Sequence, residues 1–206
     1  MATRLATFDR ATLVRAHEYQ YDGTHPNPNE CTINAMTTLL HLAAAQAGET
    51  LELRSRQLAQ FLDRIPFRHP RFPAWFPGPG GATHPRGAQK GLQAMIRTLR
   101  HKGLRFPWRA ERSSGRNPGD LEAALGAGWP TLIYGVGIRN RVPHVVVPVE
   151  RDEDGWLVLD PGYPRDKQPM RWTEAQIDDW WGNYWLFYPA GTMISLVPDS
   201  SPRGAA

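Results

Sequence analysis

The sequence predicts an α+β domain, with helices first and an antiparallel sheet second. Three observations carry that prediction. Apolar residues recur at three- and four-residue steps from Cys31 to about residue 102, whereas beyond residue 130 the pattern changes to β-branched runs of period two. The third is punctuation: 19 Pro and 19 Gly among 206 residues leave little room for long uninterrupted helices. A chain of this length can bury one sizeable core, so residues 1–198 are expected to form a single domain followed by a loose tail over 199–206.

Residues 8–17, FDRATLVRAH, predict a short helix that runs into the turn-forming segment EYQYDGTHPNPNE. From Cys31 onward, Ile33, Met36, Leu40, Ala43 and Ala47 mark one apolar helical face ending near Gly48. Asn29 is a candidate N-cap that puts Cys31 in the first turn. SRQLAQFLDRI, 55–65, reads as an amphipathic helix capped by Ser55. The Pro/Gly/aromatic stretch over 66–85 is long for a connection, and loops of that kind often form a lid or the wall of a cleft. Further helices are expected over 87–102, burying Leu92, Met95, Ile96 and Leu99, and over 118–128, opened by Pro118 and closed by Gly126 or Gly128. PTLIYGVG, PHVVVPVE and WLVLD then read as consecutive strands, and NYWLFYPA and TMISLV as two more. Between them TEAQIDDWWG starts a helix at Thr173. Trp172, Trp180, Trp181 and Trp185 are expected to pack the core over the sheet rather than to form a stacking site.

Composition excludes several function classes. A hydrophobic content of 41% with 21% charged residues is that of a folding chain. The net charge of +4 is spread out, and its densest cluster, residues 97–116, interleaves Arg and Lys with Phe106 and Trp108. It is read as the solvated face and exit loop of a helix, so nucleic acid is not an expected partner. One cysteine forms no intramolecular disulfide, and neither a zinc-ligand spacing nor a His-Glu-x-x-His motif occurs. GVGIRN lacks the third glycine of a dinucleotide loop, GPGGATHPRGAQKG lacks the Gly-Lys-Ser/Thr of a P-loop, and no Gly-x-Ser-x-Gly elbow is present. No cofactor or metal is expected. No apolar run reaches membrane-spanning length and the N-terminus carries no signal-peptide pattern, so a cytoplasmic location is the default expectation. His17, His25, His41, His69, His84 and His101 have no obvious partners and are expected at the surface or on helix edges.

The chemistry concentrates elsewhere. In HVVVPVERDEDGWLVLD, Asp152 lies eight residues from both His144 and Asp160. A hairpin symmetric about it sets that histidine and aspartate directly opposite each other on adjacent strands, with Cβ atoms about 4.5–5.5 Å apart. A nucleophilic cysteine requires a base, an electropositive setting such as a helix N-terminus, and a group that orients the base. Cys31, His144 and Asp160 meet these three requirements. The N-terminal N–H groups of the Cys31 helix also favour an oxyanion, and Gln20, Asn27 or Asn29 can supply a second, side-chain donor.

The stretches YQYDG, NECTINAMTTLLHL, GDLEAALGAGWPTLIYGVG, HVVVPVERDEDGWLVLDPGYP and MRWTEAQIDDWWGNYWLF together resemble the C39-like branch of the papain-fold cysteine peptidases. The resemblance implies a papain-like fold in which the cysteine begins a helix packed on a C-terminal antiparallel sheet. It implies a peptidase acting on a peptide or protein substrate, with Cys31 as nucleophile, His144 as base and acid, Asp160 as the residue that orients His144, and Gln20 as the oxyanion-hole glutamine. The same triad also suits acyl transfer to an amine, and a relative with an impaired oxyanion site would be a binding module on the same fold.

Overall fold

The computed structural model describes residues 3–4, 8–21, 31–64, 84–136, 143–182 and 189–200. Among them are six α-helices: α1 (Arg10–Ala16), α2 (Cys31–Gln46), α3 (Ser55–Arg64), α4 (Pro85–His101), α5 (Pro118–Gly126) and α6 (Glu174–Trp181). The strands are β1 (Thr3–Arg4), β2 (Trp108–Ser113), β3 (Thr131–Val136), β4 (Pro143–Asp152), β5 (Gly155–Leu159), β6 (Met170–Trp172) and β7 (Thr192–Pro198). The fold is α+β, with a seven-stranded antiparallel sheet ordered β2-β7-β3-β4-β5-β6, and β1 pairs the far end of β4. The expected loop over 66–85, the strand NYWLFYPA, the Asn29 cap, Trp185 and the tail fall wholly or largely outside the described residues.

The sheet departs from the expected meander in its strand order and in three strands, β1, β2 and β6, that the sequence pattern does not predict. Strand β7 comes back from the end of the chain and inserts between β2 and β3. Its partner β2 lies in the basic segment read as a loop, because only Ala110 of its six residues is buried and the period-two signal is faint. Helix α4 closes the outer edge of β2 instead of leaving it open: Gln93 Oε1 accepts from Ala110 N at 2.9 Å, Gln89 Nε2 donates to Ala110 O at 3.2 Å, and Arg100 Nη2 donates to Trp108 O at 2.7 Å. Side chains thereby satisfy backbone groups that an edge strand otherwise presents to other chains.

Helix α2 is the central element. Its sequence pattern predicts one apolar face, but Asn34, Thr37, Thr38, Leu39 and Leu42 are buried as well, since α1, α3, α4 and the sheet enclose it. A helix surrounded in this way must satisfy its polar side chains internally. Thr37 Oγ1 donates to Ile33 O at 2.9 Å, and Thr38 Oγ1 accepts from Glu18 N at 3.0 Å. Trp108 of β2 reaches over α2 to donate its indole N–H to Ala43 O at 3.2 Å.

Helix starts divide into local and long-range types. Thr173 caps α6 with Gln176 in a reciprocal capping box, as the sequence implies. Ser55 is not the cap of α3 but its first helical residue. Its N–H and hydroxyl both donate to the buried Glu18 carboxylate, at 3.4 and 3.1 Å, so the cap comes from 37 residues upstream.

Of the tryptophans expected over the sheet, Trp180 and Trp181 are buried in the core and Trp172 packs against it. Trp181 is 1% exposed and donates its indole N–H to Thr192 O at 3.0 Å, while Trp156, fully buried, donates to Glu174 Oε2 at 2.8 Å. Trp180 lies on Gly135 of β3, where an added Cβ would come within 2.3 Å of the indole. Gly135→Ala must therefore displace a large, rigid ring. We expect it to lower the unfolding free energy by about 1–3 kcal/mol, read as a reduced urea midpoint with an unchanged slope.

Candidate active site

Cys31 is the first residue of α2, a free thiol with 6% of its surface exposed. It stands where the helix presents unpaired N–H groups. His144 is the second residue of β4 and pairs with Gly135 of β3, while Asp160 follows β5 directly. The site is thus assembled at one end of the sheet from a hairpin and a helix that lies about a hundred residues upstream of it.

The hairpin that carries His144 and Asp160 does not have the expected register. Its turn is Glu153–Asp154 followed by Gly155, whose φ of +117° favours glycine. The centre therefore lies beyond Asp152, and a bulge at Val149 shifts the pairing once more. Val147 pairs with Leu159 and Pro148 with Val158, so continuing the ladder sets Val146, not His144, opposite Asp160. His144 and Asp160 are diagonal neighbours on one face, and their side chains span the diagonal: His144 Nε2 lies 2.5 Å from Asp160 Oδ1.

Gly162 occupies the place across from His144. Its N–H donates to Asp160 Oδ1 at 2.8 Å, and a Cβ there would stand 3.1 Å from that oxygen and 3.5 Å from His144 Nε2. The glycine lets the imidazole and the carboxylate close on each other.

The turn that follows Asp160 is held from two sides. Tyr163 N donates to Asp160 O at 3.1 Å, closing the turn, and Gln20 N donates to Pro161 O at 2.9 Å. Gln20 is buried at 7% exposure, and its Oε1 has no hydrogen-bond partner among the described residues. The structure therefore brings Gln20 beside the Asp160 turn, while Asn27 and Asn29 lie outside the described residues. His17, expected at a surface or helix edge, is fully buried: the turn of Tyr163 covers it, and its Nε2 donates to Tyr163 O at 2.9 Å. Burial pushes the His17 pKa below its ordinary value, only partly opposed by that bond. His41 ties the end of α1 to the segment before α3, through Ala16 O at 3.2 Å and Leu53 O at 2.8 Å.

His144 is the electrostatic centre of the arrangement. Burial works against a charged ring, but hydrogen bonds to Asp160 and then to Cys31 outweigh it, and the imidazole is pushed up to about 10. With Nε2 engaged by Asp160, Nδ1 is the ring nitrogen left to face the Cys31 sulfur. The side chain of His144 keeps 23% of its surface exposed, so the cluster is not sealed off. Chemically, a thiol beside an imidazolium that a carboxylate holds in place can form a thiolate nucleophile with an adjacent acid.

Sequence reasoning missed Gly162 and Gln168 in this cluster. Asp160-Pro161-Gly162 is a turn-forming sequence, the local signal that could have marked the glycine, whereas nothing local marks Gln168. Among the described residues, no group of His, Cys, Asp and Glu side chains is placed to hold a metal ion, and no helix is long and apolar enough to cross a membrane.

Fold and site together define an α+β protein in which a cysteine at a helix start meets a histidine carried on an antiparallel sheet. A crystal structure of a Bacillus anthracis protein provisionally named a C39-like peptidase shares this fold, with a TM-score of 0.55 at 15% identity, covering 98% of this chain and 100% of that one. At that identity the likeness is one of fold. No family model matches the sequence, and no curated protein sequence matches it significantly.

The raised pKa has a stability consequence with a definite sign. A histidine protonated more readily in the folded than in the unfolded chain adds stability that is fully present below about 6.5 and is lost as pH rises toward about 10. Two-dimensional NMR of the imidazoles should show the His144 ring still charged at pH 8, and Asp160→Asn should move its titration back toward 6.5. His17 has the opposite sign: its contribution is present above about 6.5 and lost on acidification.

Proposed function

We propose that this protein is a cysteine peptidase-like hydrolase in which Cys31, His144 and Asp160 act as a catalytic triad. The observation that carries this reading is the imidazole of His144, bound to Asp160 Oδ1 at 2.5 Å and pushed up in pKa by its interactions with both Asp160 and Cys31. The shared fold with a protein provisionally named a C39-like peptidase supports it.

In this mechanism the Cys31 thiolate attacks the carbonyl carbon of a peptide bond, forming a C–S bond and a tetrahedral oxyanion. The Cys31 backbone N–H at the start of α2 and the side-chain amide of Gln20 donate to that oxyanion. Collapse breaks the C–N bond, and His144 gives its proton to the departing amine. The neutral imidazole then takes a proton from water, whose oxygen attacks the thioester. Collapse of the second tetrahedral intermediate breaks the C–S bond, releases the carboxylic acid product and regenerates the thiolate beside His144, which keeps the proton it took from water. Asp160 holds the ring in the tautomer and orientation that both half-reactions need.

The test combines labelling with cleavage. Iodoacetamide should alkylate Cys31 at neutral pH faster in the wild type than in His144→Gln, and a defined peptide pool analysed by mass spectrometry should yield new termini that vanish in Cys31→Ala. His144→Gln should lower kcat/KM by about 10²–10⁴-fold. Equal alkylation in wild type and His144→Gln, with no Cys31-dependent products, would refute the proposal.

A further inference from the structure

Gln168 is fully buried and lies eight residues beyond Asp160, between a turn of 3-10 helix (Arg165–Lys167) and β6. Its carboxamide grips the backbone of Asp160 at both ends: Oε1 accepts from Asp160 N at 3.1 Å, and Nε2 donates to Asp160 O at 3.0 Å. The same Nε2 donates to Tyr163 O at 3.2 Å, the carbonyl that also accepts from His17. A primary amide is the side chain that accepts and donates in one plane without carrying charge. This pattern needs both functions, since an N–H and two carbonyl oxygens face one side chain.

The geometry points to Gln168 as a positioning residue that acts through Asp160: by fixing both backbone groups of the aspartate, it sets where the carboxylate meets the His144 ring. The inference rests on the proposed role of Asp160 as the group that orients His144. The side-chain contacts of Asp160 alone do not fix it. Its Oδ1 accepts from His144 and from Gly162 N, and both bonds lengthen if the Asp160 Cα shifts. The residue stands just past the end of β5, where the ladder no longer restrains it. Gln168 replaces the missing strand partner. Its own carbonyl accepts from Arg10 Nη2 at 3.3 Å, which ties the clamp to α1.

Two variants of the full chain test this. Gln168→Met keeps the volume and removes every hydrogen bond of the amide; Gln168→Leu removes the same bonds with a shorter, branched apolar side chain, and neither adds a charge near His144. We expect the His144 imidazole to titrate at lower pH in both. Peptide cleavage should fall through kcat rather than KM, by about 10²-fold in the Met variant, the scale of a small misplacement of a catalytic group. A variant that is less stable in urea yet keeps the wild-type His144 titration would reduce Gln168 to a structural residue and overturn the inference. If Gln168→Met does not fold, Gln168→Leu decides by the same titration. The NMR measurement needs no turnover, so loss of the proposed peptidase activity and failure of the clamp are read separately.

Discussion

Asp160 is 3% exposed, and the end of the sheet is organised around its carboxyl. A buried acid is tolerable only where polar partners replace the water it has lost. Here His144 and Gly162 both donate to Oδ1, and the Gln168 amide takes both backbone groups of the same residue. Those partners fix the turn through Tyr163, and the turn in turn fixes the segment from His17 to Gln20 by two further bonds. The carboxylate therefore couples the strand end, the segment after α1 and the start of β6 into one unit. Removing any partner leaves a buried polar group unmatched, which costs more than the net worth of an ordinary hydrogen bond.

Helix α2 supplies the other half of the arrangement. Because it is enclosed by three helices and the sheet, its axis has little freedom, and the position of Cys31 at its first turn is set by packing along its whole length. The buried faces of Leu39, Leu40, Leu42 and Ala43 lie remote from the thiol yet determine where it stands. Rigid elements of this kind hold a reactive group more closely than a loop does. Glu18 connects the two halves: its N–H donates to Thr38 of α2, and its carboxylate caps α3.

Parts of this were legible in the sequence for identifiable reasons. The period of the apolar residues from Ile33 to Ala47 announced a helix after Cys31, and β-branched runs announced β3, β4, β5 and β7. The turn ERDEDG announced the hairpin and hence the proximity of His144 and Asp160. Its centre was misplaced because the choice between Asp152 and Glu153–Asp154 depends on Gly155 and on the bulge at Val149, and a bulge leaves little trace in hydrophobic pattern. Strand β2 escaped detection because its polar residues face outward and its edge is satisfied by α4.

The sequence by itself determined the residue types and their local settings: a cysteine before an apolar helix, a histidine opening a β-branched run, and an aspartate closing the next one. Those signals are short-range, since helical and strand periods are written in adjacent residues. Only the tertiary structure decided the diagonal contact of His144 with Asp160, the burial of His17, the insertion of β7, the cap that Glu18 gives α3 and the grip of Gln168. Each of these depends on chain segments that meet because a shared core must be filled and its polar groups matched, and no local pattern encodes such a meeting.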